Sequence, residues 1–151
     1  WYHSLAEDEH WILSYRLRAG VLEHYGQTDN VPLSFPYYAG GSSTVRGYES
    51  RDIGPDVRRF RFFGDDYSVG GELRLINNLE LKHKVTEQLR LYTFLDAGTV
   101  WRKSGDFDLG EMKYGAGLGI GFDIPRMGPI RLDYGFPLNP EDDQGSGRRH
   151  R

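Results

Sequence analysis

The sequence predicts an all-β fold built from an antiparallel sheet. Apolar and polar side chains alternate in five separate runs, and this period of two over about ten residues is typical of strands with one apolar and one polar face. The chain holds 20 glycines but only 2 methionines among 151 residues, which argues against a helical bundle. No stretch approaches the roughly 20 uncharged apolar residues that a membrane-spanning helix needs.

Each of the five runs is a predicted strand. In the first run, for example, Leu13 and Leu17 share one face while Arg16 and Arg18 share the other. The same alternation puts Glu80 and Asp96 on the polar faces of the second and third strands. The predicted strands are Trp11 to Glu23, Gly71 to Lys82, Leu89 to Trp101, Lys113 to Ile124 and Ile130 to Phe136.

Short and long connections alternate between these strands. His83 to Gln88 and Pro125 to Pro129 are turn-like, residues 27–68 form a long loop, and Lys103 to Gly110 are intermediate. This alternation is typical of a transmembrane β-barrel, which has tight turns on one side of the membrane and long loops on the other. A loop of about forty residues is uncommon in a compact domain and usually has a function.

Alternation alone does not decide what covers the apolar face. A soluble sheet would bury this face against protein, whereas a membrane barrel would turn it towards lipid. Charged side chains mixed with bare glycines on the polar faces favour a barrel lumen. Aromatic residues near strand ends fit either interfacial girdles or ordinary sheet packing; they are Trp11, Trp101, Tyr114 and Phe136.

Several classes of function are disfavoured by composition and spacing. A formal net charge of −3 gives no reason to expect nucleic-acid binding, and the absence of cysteine excludes disulfides and thiolate chemistry. The five histidines lack zinc-ligand spacing, and no nucleophile elbow surrounds Ser42 and Ser43. We therefore expect neither an enzyme nor a bound metal or cofactor.

Four glycines repeat with a spacing of two in the fourth predicted strand. They do not match the dinucleotide-binding pattern, because Phe122 stands where its third glycine would be. Their spacing removes the side chains from one face of the strand, which lets another part of the chain approach closely. These close-approach glycines are Gly115, Gly117, Gly119 and Gly121.

The long loop carries the most specific motif. Gly40-Gly41 is followed by Val45-Arg46-Gly47-Tyr48, hereafter the VRGY motif, and then by Glu49 and Gly54-Pro55. This loop resembles the signature loop of the bacterial surface antigen superfamily. Four later segments agree with that family in order: Gly70-Gly71, Asn78 to Leu81, Phe94 to Trp101 and Gly128 to Gly135.

The resemblance implies a piece of a sixteen-stranded transmembrane barrel. Residues 1–151 would form a partial C-terminal barrel domain of about five strands, without the last strand, and residues 27–68 would form an extracellular loop. The implied function is that of a bacterial outer-membrane factor that folds and inserts other barrels without nucleotide. Its implied partners are outer-membrane lipid, unfolded outer-membrane clients and accessory lipoproteins. Related translocation or two-partner secretion pores, or a phospholipase fusion, remain alternatives, as does a soluble β-sheet binding module.

The resemblance also implies a role for the VRGY motif. Arg46 would return into the lumen and pair with Glu80 and Asp96, the two carboxylates that strand parity already places there. Gly47 would permit the turn, and Tyr48 would pack on the glycine-lined wall. In the alternative arrangement Arg46 is exposed, and the two acids pair with the inward-facing Arg74 and Arg90.

Overall fold

A computed structural model describes residues 1–4, 10–23, 36–55 and 70–139. Residues 27–35 and 56–68 of the predicted extracellular loop lie outside the described residues. Among the residues that are described, no helix has the length and apolar character needed to cross a membrane.

The described chain forms one antiparallel sheet in which every strand pairs with the next in sequence. The five predicted strands are confirmed, and a sixth, β1, precedes them. At three residues β1 is too short to show alternation, which is why the sequence did not predict it. The strands are β1 (Tyr2–Ser4), β2 (Trp11–Val21), β3 (Leu73–Lys84), β4 (Leu89–Trp101), β5 (Lys113–Ile124) and β6 (Gly128–Pro137).

The sheet is open, because β1 and β6 stand at its two edges and do not pair with each other. Tight turns join β3 to β4 and β5 to β6. Two short 3-10 helices, Ser104–Asp106 and Leu109–Glu111, lie in the connection between β4 and β5. The residues of the long loop that the structure describes lie between β2 and β3.

The two faces of the sheet differ in what covers them. On the apolar face large side chains are exposed on every long strand; Leu118 is 63% exposed and Leu132 is 69% exposed. A soluble sheet would bury such residues against protein. Their exposure instead matches the lipid-facing side of a barrel wall.

The buried core lies on the opposite face, which we call the polar face, beneath residues of the long loop. Val45 and Ile53 from the loop pack with Ile76 of β3 and Val100 of β4, and all four are at most 1% exposed. Gly98 makes room for this packing, since a Cβ there would lie 2.9 Å from a methyl group of Val45. The loop therefore folds back onto the sheet instead of extending away from it.

Candidate functional site

The loop tip is shaped by its glycines and its own backbone. Gly40, Gly41 and Gly47 have φ values of 97°, 92° and 97°, which a side chain would strain. The amide of Gly41 donates to the carbonyl of Tyr48 at 3.1 Å, and the Thr44 hydroxyl donates to the carbonyl of Gly40 at 2.8 Å. These bonds close a compact turn that presents Arg46 to the sheet.

Arg46 reaches the polar face of the sheet and is only 6% exposed. Its Nε and Nη2 atoms donate to the two carboxylate oxygens of Asp96 at 2.6 and 2.7 Å, and its backbone amide donates to Asp96 Oδ2 at 3.1 Å. Its Nη1 atom donates to Glu80 Oε1 at 2.6 Å. The planar guanidinium thus binds one carboxylate with two parallel bonds and the second with one, an arrangement that lysine cannot reproduce.

The electrostatics of this contact keep Arg46 charged. Burial by itself would lower the pKa of Arg46, but the hydrogen bonds and charges of Asp96 and then of Glu80 outweigh it and raise that pKa above its usual value. The ring of Phe94 lies under the guanidinium, with 3.6 Å from Arg46 Cζ to the ring centroid. The aromatic face adds a cation–π contact to this buried guanidinium.

Further residues complete what we call the polar cluster, which comprises Arg46, Asn78, Glu80, Asp96, Arg131 and Asp133. Asn78 donates to Asp96 Oδ1 at 2.8 Å and to the carbonyl of Thr44 at 2.7 Å, so it joins the sheet to the loop. Asp133 Oδ2 lies 3.4 Å from Arg46 Nη1. Strand alternation placed Asn78, Arg131 and Asp133 on polar faces, but nothing in the sequence showed that they reach Arg46 or its acids.

The alternative partners of the two acids are engaged elsewhere. Arg90 pairs with Asp123 at 2.5 Å. Arg74 lies over the ring of Tyr37, with its Cζ atom 4.5 Å from the centroid. Within the described residues, no group of three or more histidine, cysteine or acidic side chains is arranged to hold a metal ion.

The four close-approach glycines accommodate different neighbours. A Cβ at Gly115 would overlap the carbonyl oxygen of Arg46, so the loop backbone touches β5 there. A Cβ at Gly117 would meet the carbonyl of Tyr134 and the ring of Phe94. At Gly119 it would meet the Asp133 carboxylate, and at Gly121 the ring of Tyr92. The bare face of β5 is therefore filled by other parts of the chain.

Tyr48 lies where the loop meets the end of β6. It packs against the buried core, and its hydroxyl donates to Asn139 Oδ1 at 3.0 Å. The same Asn139 oxygen accepts from the amide of Tyr114 at 2.7 Å, and the Asn139 amide donates to the carbonyl of Met112 at 2.9 Å. Asn139 follows the last predicted strand, so alternation could not place it.

These contacts predict a graded effect on the loop. Tyr48→Phe removes one exposed hydrogen bond, with a net contribution of about 1 kcal/mol, and should make the loop a few-fold easier to cleave by protease. Asn139→Ala should have a larger effect because it also frees a backbone donor and a backbone acceptor. Limited proteolysis of the full-length protein measures both. Tyr134→Phe, on the exposed apolar face, is the matched control; equal cleavage of all variants would contradict the assignment.

Together the fold and the site define a class of protein: the wall segment of a transmembrane β-barrel, onto which a long loop folds through a buried arginine. The Omp85 superfamily domain matches residues 1–150. The chain therefore belongs to the Omp85 superfamily.

Curated relatives agree with this assignment. The chain is 38% identical over 152 residues to the outer membrane protein assembly factor BamA of Nitratidesulfovibrio vulgaris, a match that covers 97% of this chain and 18% of that protein. It is 30% identical over 155 residues to BamA of Neisseria meningitidis serogroup B, with coverage of 82% and 19%. The predicted family and the predicted location in a bacterial outer membrane are confirmed by these relatives.

A plant relative and a solved structure extend the comparison. The chloroplastic outer envelope protein 80 of Arabidopsis thaliana is 33% identical over 122 residues, covering 76% of this chain and 14% of that protein. The crystal structure of BamA from Haemophilus ducreyi lacking POTRA domains 1-3 superposes with a TM-score of 0.77 at 23% identity, covering 92% of this chain and 30% of that chain. This likeness confirms the barrel fold. The chain spans less than one fifth of the length of each curated relative.

Proposed function

We propose that this chain is the barrel wall of a factor that folds and inserts other β-barrel proteins into the bacterial outer membrane. The observation that carries the proposal is the 38% identity, over 97% of the chain, to a protein named as such an assembly factor. The relatives' names favour assembly over a secretion pore, a phospholipase fusion or a soluble binding module. Relatives that are named assembly factors also support our proposal that the protein acts without enzymatic activity, nucleotide or cofactor.

The contribution of this segment would be mechanical. Arg46 ties residues 36–55 to β3 and β4, and it would stiffen this side of the barrel while strands elsewhere separate to admit a client. The exposed apolar face would contact lipid. Unfolded outer-membrane proteins would be the clients, accessory lipoproteins would be partners of the whole protein, and residues 27–68 would form an extracellular loop.

Reconstitution of the full-length protein tests the proposal. The protein is placed in liposomes without nucleotide, an unfolded barrel protein is added, and folding is followed by the shift in electrophoretic mobility of unheated samples. We expect folding at least about tenfold faster than in protein-free liposomes, which corresponds to a barrier lowered by roughly 1.4 kcal/mol. Equal folding rates would contradict an assembly role. Release of client protein across the vesicle membrane, without insertion, would favour a secretion pore.

A further inference from the structure

The polar face contains the same three-part contact twice. In the first copy, the ring of Phe94 from β4 lies over Gly117 of β5, and the guanidinium of Arg46 lies over that ring, with its Cζ atom 3.6 Å from the centroid. In the second copy, the ring of Tyr92 lies over Gly121; a Cβ there would come within 2.6 Å of it.

The arginine of the second copy is Arg131. Its Cζ atom lies 4.2 Å from the centroid of the Tyr92 ring. In each copy an aromatic ring occupies the space that a glycine leaves open, and an arginine guanidinium lies over the ring. Both arginines bind the same carboxylate, that of Glu80.

Arg131 makes this contact across two intervening strands. Its Nη2 atom donates to Glu80 Oε1 at 2.9 Å, its Nη1 atom donates to Glu80 Oε2 at 3.3 Å, and its Nε atom donates to Asp133 Oδ1 at 2.8 Å. Glu80 lies on β3 and Arg131 on β6, so three strand spacings of about 4.8 Å separate their backbones. The bare positions Gly119 and Gly121 on β5 leave the space in which Asp133 and the Tyr92 ring lie beneath the Arg131 side chain.

The charges of the cluster also favour a second arginine beside the acids. Three carboxylates, those of Glu80, Asp96 and Asp133, lie within 3.4 Å of Arg46. One guanidinium would leave two negative charges unbalanced in a site where Glu80 and Asp96 are buried. Arg131, and Lys82 with its Nζ atom 3.6 Å from Glu80 Oε2, bring the cations to three.

We propose that Arg131 is a positioning residue that ties β6 to β3 and holds Glu80 and Asp133 in the places from which they bind Arg46. The tie runs from strand to strand and does not include the loop. The tie therefore persists when the loop leaves the sheet. Glu80 and Asp133 then keep their positions, and Arg46 can bind them again when the loop returns. Its consequence for assembly rests on the proposed function, whereas the tie itself does not.

Distance measurement in the full-length protein tests the tie. Spin labels at Leu79→Cys on β3 and Leu132→Cys on β6 lie on the exposed apolar face, away from the cluster, and this chain has no cysteine of its own. Arg131→Ala should at least double the width of the label-to-label distance distribution in lipid nanodiscs. It should also speed protease cleavage of the loop by about tenfold, as expected when a charge-assisted hydrogen bond is lost.

Two variants distinguish a role for the planar guanidinium group of Arg131 from a role for its positive charge alone. Arg131→Lys keeps the charge but cannot bind Glu80 and Asp133 together while stacking on a ring, so it should not restore the narrow distribution. Tyr92→Leu removes the supporting ring and leaves every charge in place, so it should also broaden the distribution. Tyr92→Leu decides the question if Arg131→Ala does not fold. Arg90→Ala is the matched control, because the ion pair that Arg90 makes within the described part of the chain is with Asp123 on the neighbouring strand.

The outcomes are distinct. An unchanged distribution in Arg131→Ala, or in Tyr92→Leu where the first variant does not fold, overturns the proposal, and so does full rescue by Arg131→Lys. Arg46→Ala should release the loop and leave the distance between β3 and β6 narrow. If Arg131→Ala broadens the distribution while client folding in liposomes is not accelerated even by the unmodified protein, the proposed function fails and the tie stands.

Discussion

Replacing Arg46 with alanine is expected to release the long loop and to abolish most of the assembly activity proposed for the full-length protein. The substitution leaves Asp96, which is fully buried, and Glu80 with negative charges that have lost their main partner. Breaking a buried ion pair by removing one partner costs about 3–5 kcal/mol, mostly from the charge left behind. The strands should persist, because their backbone ladders do not include the loop.

Protease cleavage within residues 36–55 and the rate of client folding in liposomes measure this effect. In Arg46→Lys, both rates should lie between those of Arg46→Ala and those of the unmodified protein. An ammonium group can approach one carboxylate, but it cannot form the paired bonds to Asp96 and reach Glu80 as well. Arg51→Ala is the matched control; Arg51 belongs to the same loop, is exposed, and lies over the ring of Tyr38. A loop that stays protected in Arg46→Ala, together with normal client folding, would show that the contact has no role in assembly.

Much of the fold was predictable because a strand repeats every two residues. The period assigned the long strands and also placed Glu80 and Asp96 on the polar face, where both now lie beside Arg46. The family resemblance was also needed to predict that these two acids pair with the loop arginine. Alternation assigns a side chain to one face of the sheet, but it does not predict which residue of a distant loop contacts it.

The contacts that were not predicted depend on how distant parts of the chain are arranged in three dimensions. Arg131 is on the polar face by alternation, but its bond to Glu80 depends on how the sheet bends and on the bare glycines between them. The Asn139 bonds depend on a position after the last strand, where no period applies. Both kinds of contact are set by tertiary geometry, which a local pattern does not encode.

Placing a methyl group on Gly115 should release the loop as effectively as removing the arginine, although every charge remains. Gly115 lies opposite Asp96 in the ladder between β4 and β5, and a Cβ there would overlap the carbonyl oxygen of Arg46. The backbone fixes the position of a Cβ, and the carbonyl belongs to the backbone itself, so neither group can rotate away and the loop has to lift off the strand. Overpacking of this kind costs about 1–3 kcal/mol before any loss of the ion pair is counted.

This expectation is tested by comparing Gly115→Ala with Gly105→Ala. The two measurements are protease cleavage of the loop and the rate of client folding. A Cβ at Gly105 would meet nothing within 4 Å, so that variant should behave like the unmodified protein. The double variant Arg46→Ala/Gly115→Ala should be little worse than either single change, because both act by separating the loop from β5 and its neighbours, and coupled sites are not additive. Strictly additive losses, or normal loop protection in Gly115→Ala, would mean that Arg46 acts without the close approach of the loop backbone to β5.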